Sequence, residues 1–314
     1  METPIKVVDL HCDTLTACHK KGIGLSNDET HLSLHKRPAS TRWCQCMAVF
    51  IPDSLRGQAA EAYFGEVYQY LTRQQTILQD SFAWLKDLSL VPSALNTAGF
   101  SAVLTVEGGA VLAGKLENIK KLRQLGVRML TLTWNAANEI CGGSETDEGF
   151  TAFGRRAVAE LERQGIVVDV SHLSDRGFDE LREFARKPFV ASHSNSRTVC
   201  GHRRNLTDAM FCHIRDIGGL VGMNYYQNFI TEDGKSDSID DLLRHIHHFL
   251  ELGGEHTLAL GSDYDGAEIP SYLDSMEKVE SLYEAMVKSG IAEPVVNRIF
   301  YGNAERFFTA YDAI

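Results

Sequence analysis

The chain has 314 residues, 44% of them hydrophobic, and a formal net charge of −11 from 42 acidic against 31 basic side chains. That length supports a large buried core, and a single α/β barrel reaches this size without a second domain. No basic cluster marks a nucleic-acid surface, and no run approaches the roughly 18 apolar residues that a membrane span needs. The opening METPIKVVDLHCD has no charged segment followed by a long apolar run, and the closing FFTAYDAI has no lipidation motif. Neither a secretory leader nor an anchor is expected, and the expected location is cytoplasmic. The seven cysteines are Cys12, Cys18, Cys44, Cys46, Cys141, Cys200 and Cys212. An odd number in a long chain predicts buried free thiols rather than a disulfide framework.

In chain order, short apolar runs alternate with helical segments. The runs span 5–13, 43–51, 100–109, 127–135, 165–172, 188–194, 218–226 and 257–266. They are nearly continuously apolar, as strands buried on both faces should be. Helices are expected over 57–90, 115–125 (ended by Gly126), 151–164, 174–186 and 239–252, with Ser174, Asp175, Asp240 and Asp241 supplying N-caps or first-turn acids. Strand–helix alternation implies parallel strands, and eight repeats imply a closed (β/α)8 TIM-like barrel forming a single domain over 1–314. An open doubly wound sheet is the alternative. The glycine-rich, acidic stretch 135–151 follows the fourth strand and reads as a solvated loop or as a lid.

Active sites of such barrels lie at the C-terminal ends of the strands. The polar residues of these runs fall there: His11 and Asp13 on the first, Glu107 on the third, His172 on the fifth, His193 on the sixth, and Asp263 and Asp265 on the eighth. Residues i and i+2 of a strand share a face, so His11 and Asp13 project together while Cys12 turns away. Imidazole beside carboxylate suits zinc or a similar divalent ion. Three histidines and two carboxylates suffice for two ions if one carboxylate bridges, and Glu107 is the natural bridge. Each residue taken alone has a structural reading, as a hydrogen-bonded histidine or a helix cap. Among the remaining histidines, His245, His247 and His248 read as solvated on a surface helix, and His19, His31 and His35 fall in a polar connection. His202 precedes Arg203 and Arg204 in a loop expected to overhang the pocket. No nucleophile elbow, phosphate-binding loop or dinucleotide fingerprint competes.

The set DLHCD (9–13), LTVEGG (104–109), VDVSH (168–172), SHSNSR (192–197), RRNLTD (203–208) and GSDYDG (261–266) resembles the renal, or membrane, dipeptidase family. The resemblance implies a two-zinc dipeptidase on a TIM-like barrel, in a soluble, bacterial branch. His11 and Asp13 would hold one zinc, His172 and His193 the other, and Glu107 would bridge. Asp263 matches the acid/base, and Arg204 matches the residue that grips the C-terminal carboxylate of a small peptide. The family commonly tolerates a C-terminal D-residue. One position departs: Trp134 stands where the renal enzymes carry a histidine, and its side chain is expected to wall the pocket. A related amidohydrolase acting on a cyclic amide, lactone or N-acyl amino acid is the alternative enzyme, and a catalytically silent metal-binding barrel the alternative class. No partner protein, nucleic acid or membrane is implied, and a homodimer is left open.

Overall fold

Parallel strands that are apolar on both faces must be covered on both, and here the covering is a ring of helices. The computed structural model describes residues 4–97 and 99–311. The extreme ends of the opening and closing segments read above lie outside the described residues. The strands are β1 (Ile5–Cys12), β2 (Thr41–Phe50), β3 (Ala83–Leu85), β4 (Phe100–Glu107), β5 (Val127–Thr131), β6 (Val167–Asp169), β7 (Val190–Ala191), β8 (Leu220–Met223) and β9 (Leu258–Leu260). All pairings between them are parallel. β1 joins β9, and β2 joins β4, so every strand but β3 belongs to a closed eight-stranded barrel. The expected (β/α)8 architecture is what the chain adopts.

The helices are α1 (Thr14–Lys21), α2 (Gly57–Ile77), α3 (Val91–Thr97), α4 (Glu117–Gln124), α5 (Ala152–Arg163), α6 (Asp175–Phe184), α7 (Asp208–Asp216), α8 (Gln227–Ile230) and α9 (Ile239–Glu251), followed by α10 (Val279–Lys288), α11 (Glu293–Asn297) and α12 (Asn303–Tyr311). Their starts follow capping chemistry. The side chains of Thr151, Ser174, Thr207 and Ser238 accept backbone N–H bonds at the heads of α5, α6, α7 and α9. Asp175, Asp240 and Asp241 lie in first turns, where a negative charge faces the positive end of the helix.

Three expectations fail, each for a packing reason. The helix expected over 57–90 stops at Ile77. Beyond it Phe82 is buried against Phe100, with ring centroids 6.0 Å apart, and Ala83–Leu85 adds a strand to the edge of β4. That edge is free there because β5 pairs with β4 only from Leu104 onward. His245 is buried rather than solvated. Its Nδ1 accepts from the backbone N–H of Ser196 at 3.1 Å, and its Nε2 lies 2.9 Å from the carbonyl of Ile230. The stretch 135–151 is not the solvated loop expected, because Ile140, Cys141, Gly142, Gly143 and Ser144 are buried. The cysteines are free as expected, and only Cys212 among them is not fully buried.

Candidate active site

The barrel architecture brings His11, Asp13, Glu107, His172, His193 and Asp263 together at the C-terminal rim. Glu107 is the last residue of β4. It lies in register with Phe50 of β2 on one side and Thr131 of β5 on the other. Its Oε2 lies 3.6 Å from His11 Nε2, while its Oε1 lies 2.9 Å from His172 Nε2 and 3.5 Å from His193 Nε2. One carboxylate thus faces two groups of donors with its two oxygens. His11 Nε2 also has Asp13 Oδ2 at 3.4 Å and Asp263 Oδ1 at 3.8 Å.

Local backbone sets these directions. His172 and Asp263 are not on strands but in turns just beyond them, with φ of 67° and 62°. Such left-handed conformations are sparse for residues with a Cβ and cluster at functional sites. The backbone carbonyl of His172 accepts from Thr133 Oγ1 at 2.8 Å, and the amide of Asp263 donates to the carbonyl of His11 at 3.2 Å. At Gly266 a side chain would collide with Asp13 Oδ2 and stand against Asp263 Oδ1. A residue without a Cβ is therefore needed where the two carboxylates converge.

The imidazoles are oriented by groups that the sequence reading did not single out. His172 Nδ1 lies 2.8 Å from Asn135 Oδ1, and His193 Nδ1 lies 2.8 Å from Ser192 Oγ. An amide oxygen only accepts, so His172 carries its proton on Nδ1 and offers Nε2 as a lone pair. Asn224 Nδ2 donates to Asp263 Oδ2 at 3.0 Å, and buried Asp9 accepts from the amide of His11 at 3.0 Å. Amides and hydroxyls of this kind carry no motif of their own. The only hint in the sequence is adjacency: Asn135 follows Trp134, Ser192 precedes His193, and Asp9 lies two residues before His11.

Burial shapes the electrostatics. It raises Glu107 and Asp263 above the usual carboxylate range, and nearby Asp13 adds to both shifts. Burial opposes the charged form of His11 as well, but Glu107, Asp13 and Asp263 outweigh it and push that imidazole up to about 10. His172 and His193 move the other way, lowered first by burial and then by Arg204 and His11. A cluster that drives its carboxylates and one histidine toward protonation is short of positive charge, which a divalent cation supplies. His11 Nε2 and Asp13 Oδ1 are moreover buried without a hydrogen-bond partner among the described residues. Ligand atoms of His11, Glu107 and His193, and of His11, Asp13 and Asp263, lie within 4.8 Å of one another. The residues present therefore fit metal ions of the kind that imidazole and carboxylate bind.

A cavity of about 760 Å³ opens over this cluster. Asp13, Glu107, Trp134, His172 and Asp263 line it, with Lys20, Phe50, Tyr226, Phe229 and Glu268 further out. Trp134 stands edge-on to Phe50 at 5.0 Å and 6.3 Å from the ring of His172. Arg204 does not line this cavity but lies behind the histidines. Its Nη1 donates to Ser194 Oγ at 3.2 Å and its Nη2 to the carbonyl of His193 at 3.1 Å, over the ring of Phe229. Its Nε is buried with no partner among the described residues. Burial lowers the guanidinium to about 10, so it stays cationic at neutral pH. Asp265, two residues beyond Asp263, is used structurally. It accepts from the backbone N–H of His31 at 2.7 Å and from Thr14 Oγ1 at 2.5 Å.

A (β/α)8 barrel with imidazoles and carboxylates gathered at its C-terminal rim is the framework of a metal-dependent hydrolase. The model of the membrane dipeptidase family, peptidase family M19, matches residues 1–314. The chain belongs to that family and is a metallo-dipeptidase by class. A metallo peptidase from Rhodobacter sphaeroides, solved with a phosphinate mimic of the dipeptide L-Ala-D-Ala, is 26% identical, with a TM-score of 0.92 over 97% of this chain and 99% of that one. The structure of a dipeptidase of family M19 called AC is 28% identical, with a TM-score of 0.91 over 98% of each chain. An uncharacterized dipeptidase of Schizosaccharomyces pombe is 34% identical over 196 residues, which are 60% of this chain and 47% of that protein. No helix among the described residues is long and apolar enough to cross a membrane.

Proposed function

We propose that the chain is one hydrolase domain over 1–314 and a two-zinc dipeptidase. Its substrates carry a free C-terminal carboxylate and tolerate a D-residue there. The observation that carries this reading is the division of Glu107, with Oε2 toward His11 and Oε1 toward His172 and His193. His11 and Asp13 would hold one zinc, His172 and His193 the other, and Glu107 would bridge. When bound, the ions supply Lewis acidity toward a carbonyl and make a nearby water more acidic.

The other roles belong to the chain's own side chains. Asp263, raised by burial and held by Asn224, is placed to take a proton from water and return it to the leaving amine. Arg204 would supply fixed positive charge toward the substrate carboxylate from behind the histidines, without lining the cavity. Trp134 and Phe50 wall the cavity against bulky side chains and exclude water. The phosphinate mimic bound by the Rhodobacter relative has a D-residue at its C-terminus, which supports the stereochemical part of the reading.

The test combines metal analysis with a dipeptide panel in both C-terminal configurations, each peptide offered free and amidated. About two zincs per chain and hydrolysis of the free peptides is the expected result. Equal kcat/KM for free and amidated peptides would remove the carboxylate clamp, and a single tightly held ion would remove the two-zinc reading.

A further inference from the structure

Asp169 is a buried carboxylate that no role above uses. It is the last residue of β6, and both its oxygens are occupied. Oδ1 accepts the backbone N–H groups of Ser171 at 3.0 Å and Ser192 at 2.8 Å. Oδ2 accepts the hydroxyls of Thr131 and Ser192, each at 2.6 Å. Four donors converging on one group is the pattern of an ionised carboxylate, which only accepts.

The directions of the next bonds follow by elimination. The Ser192 hydroxyl has one proton. Its short bond to a charged acceptor uses that proton, since the other oxygen in reach, Ser171 Oγ, lies at 3.5 Å. Toward His193 Nδ1, at 2.8 Å, the hydroxyl can then only accept. The proton of His193 therefore sits on Nδ1, and Nε2 is a lone pair 3.0 Å from the equally unprotonated Nε2 of His172 and 3.5 Å from Glu107 Oε1, a meeting of acceptors that a cation would relieve.

We propose that Asp169 is a positioning residue which, through the Ser192 hydroxyl, fixes His193 as the Nδ1–H tautomer and so makes Nε2 available as a ligand. The ligand part rests on the two-zinc reading above; the tautomer part does not. Partners that hold a ligating histidine in this way are typically worth 10–100-fold in metal affinity.

The chain makes an unusual prediction for an isosteric change. In Asp169→Asn the amide oxygen can serve the two backbone N–H groups, which leaves the NH2 facing Thr131 and Ser192. The amide then donates to Ser192 Oγ, and the hydroxyl turns its own proton onto His193 Nδ1. The polarity of the chain reverses, and Nε2 becomes the protonated nitrogen. Ser192→Ala deletes the acceptor but enforces no reversal. Thr131→Val removes a donor from the same Oδ2 yet leaves the path to His193 intact.

The experiment records the nitrogen-15 shifts of the His193 ring in the full chain without added metal, and measures zinc affinity by competition with a chelator. The parent should show the Nδ1–H tautomer and Asp169→Asn the Nε2–H tautomer. Zinc binding should weaken about 10–100-fold in Ser192→Ala, more in Asp169→Asn, and less than about twofold in Thr131→Val. An Nε2–H tautomer in the parent, or Thr131→Val losing as much zinc affinity as Ser192→Ala, overturns the proposal in favour of a purely structural carboxylate. Should Asp169→Asn fail to fold, the Ser192 and Thr131 pair decides alone. A reversed tautomer with unchanged zinc affinity upholds the relay and overturns the ligand role of His193.

Discussion

The two halves of the active site differ in how they hold their donors. On the β1 and β9 side, His11 faces three carboxylates, its Nε2 has no hydrogen-bond partner among the described residues, and its imidazole is pushed up to about 10. On the β6 and β7 side, His172 and His193 are each tied through Nδ1 to a neutral side chain and stay neutral. The first half is organised by charge and the second by hydrogen-bond direction. A site assembled this way gathers carboxylates around one imidazole and leaves the other two imidazoles neutral, with Glu107 the only side chain among the described residues that faces both groups.

Glu107→Gln should break the comparison most completely. An amide has one oxygen, so it can serve only one half. Zinc content should fall to one ion or fewer, and turnover should drop by more than the roughly 10⁴-fold upper range of a single acid–base group. Metal analysis with two ions still present would show that the bridge is not needed.

Asp263→Asn comes next and probes the charged half. Both ions should remain while kcat falls by roughly 10²–10⁴-fold. Loss of metal in parallel would instead make Asp263 a ligand, in line with its 3.8 Å approach to His11. Asp265→Asn is the contrast, since that carboxylate secures the chain at His31 and Thr14, and it should lower thermal stability while sparing kcat.

Trp134→Phe tests the wall beside His172. Removing an oxyanion donor typically costs ~10²–10³ in kcat. Less than about a tenfold change in kcat is expected here, with selectivity shifting toward bulkier side chains. A hundredfold drop at full zinc content would make the indole N–H catalytic.

The smallest effect concerns the footing of the neutral half, where His245 supports the Ser196 amide three residues beyond His193. Burial lowers this imidazole from 6.5 to about 4, with Arg244 and His248 acting in the same sense and the Ile230 carbonyl opposing. Between those values the unfolded chain binds a proton that the folded chain does not, so stability falls as pH falls. Its share between pH 7 and pH 5 is about 2 kcal/mol. Gln can make the same two hydrogen bonds without titrating. Denaturant unfolding of His245→Gln should therefore depend less on pH over that interval, with zinc affinity unchanged.

The charged half was the easier one to read from the amino-acid order. Ionisable residues at the ends of apolar runs stand out, and the i, i+2 spacing of His11 and Asp13 gives their common direction. The eight barrel strands were legible for the same reason, through continuous apolarity. The neutral half was legible only in its histidines. Asn135, Ser192 and Asp169 are ordinary polar residues whose roles depend on distances across β5, β6 and β7. The short β3 escaped notice because it exists only where β4 has a free edge, and His245 was misread because the helix that carries it packs that face inward. The resemblance supplied the roles of Asp263 and Arg204, and it could not show that Arg204 stands behind the histidines rather than in the cavity.

The left-handed turns at His172 and Asp263 set this protein's tolerance for change. Each costs roughly 1–2 kcal/mol relative to a relaxed backbone, and glycine there would release that strain against roughly 0.5–1 kcal/mol of added chain entropy. Backbone strain alone favours glycine at both positions, while the buried hydrogen bonds of His172 to Asn135 and of Asp263 to Asn224 favour the side chains that stand there. Backbone and side chain therefore compete within a single residue at 172 and at 263.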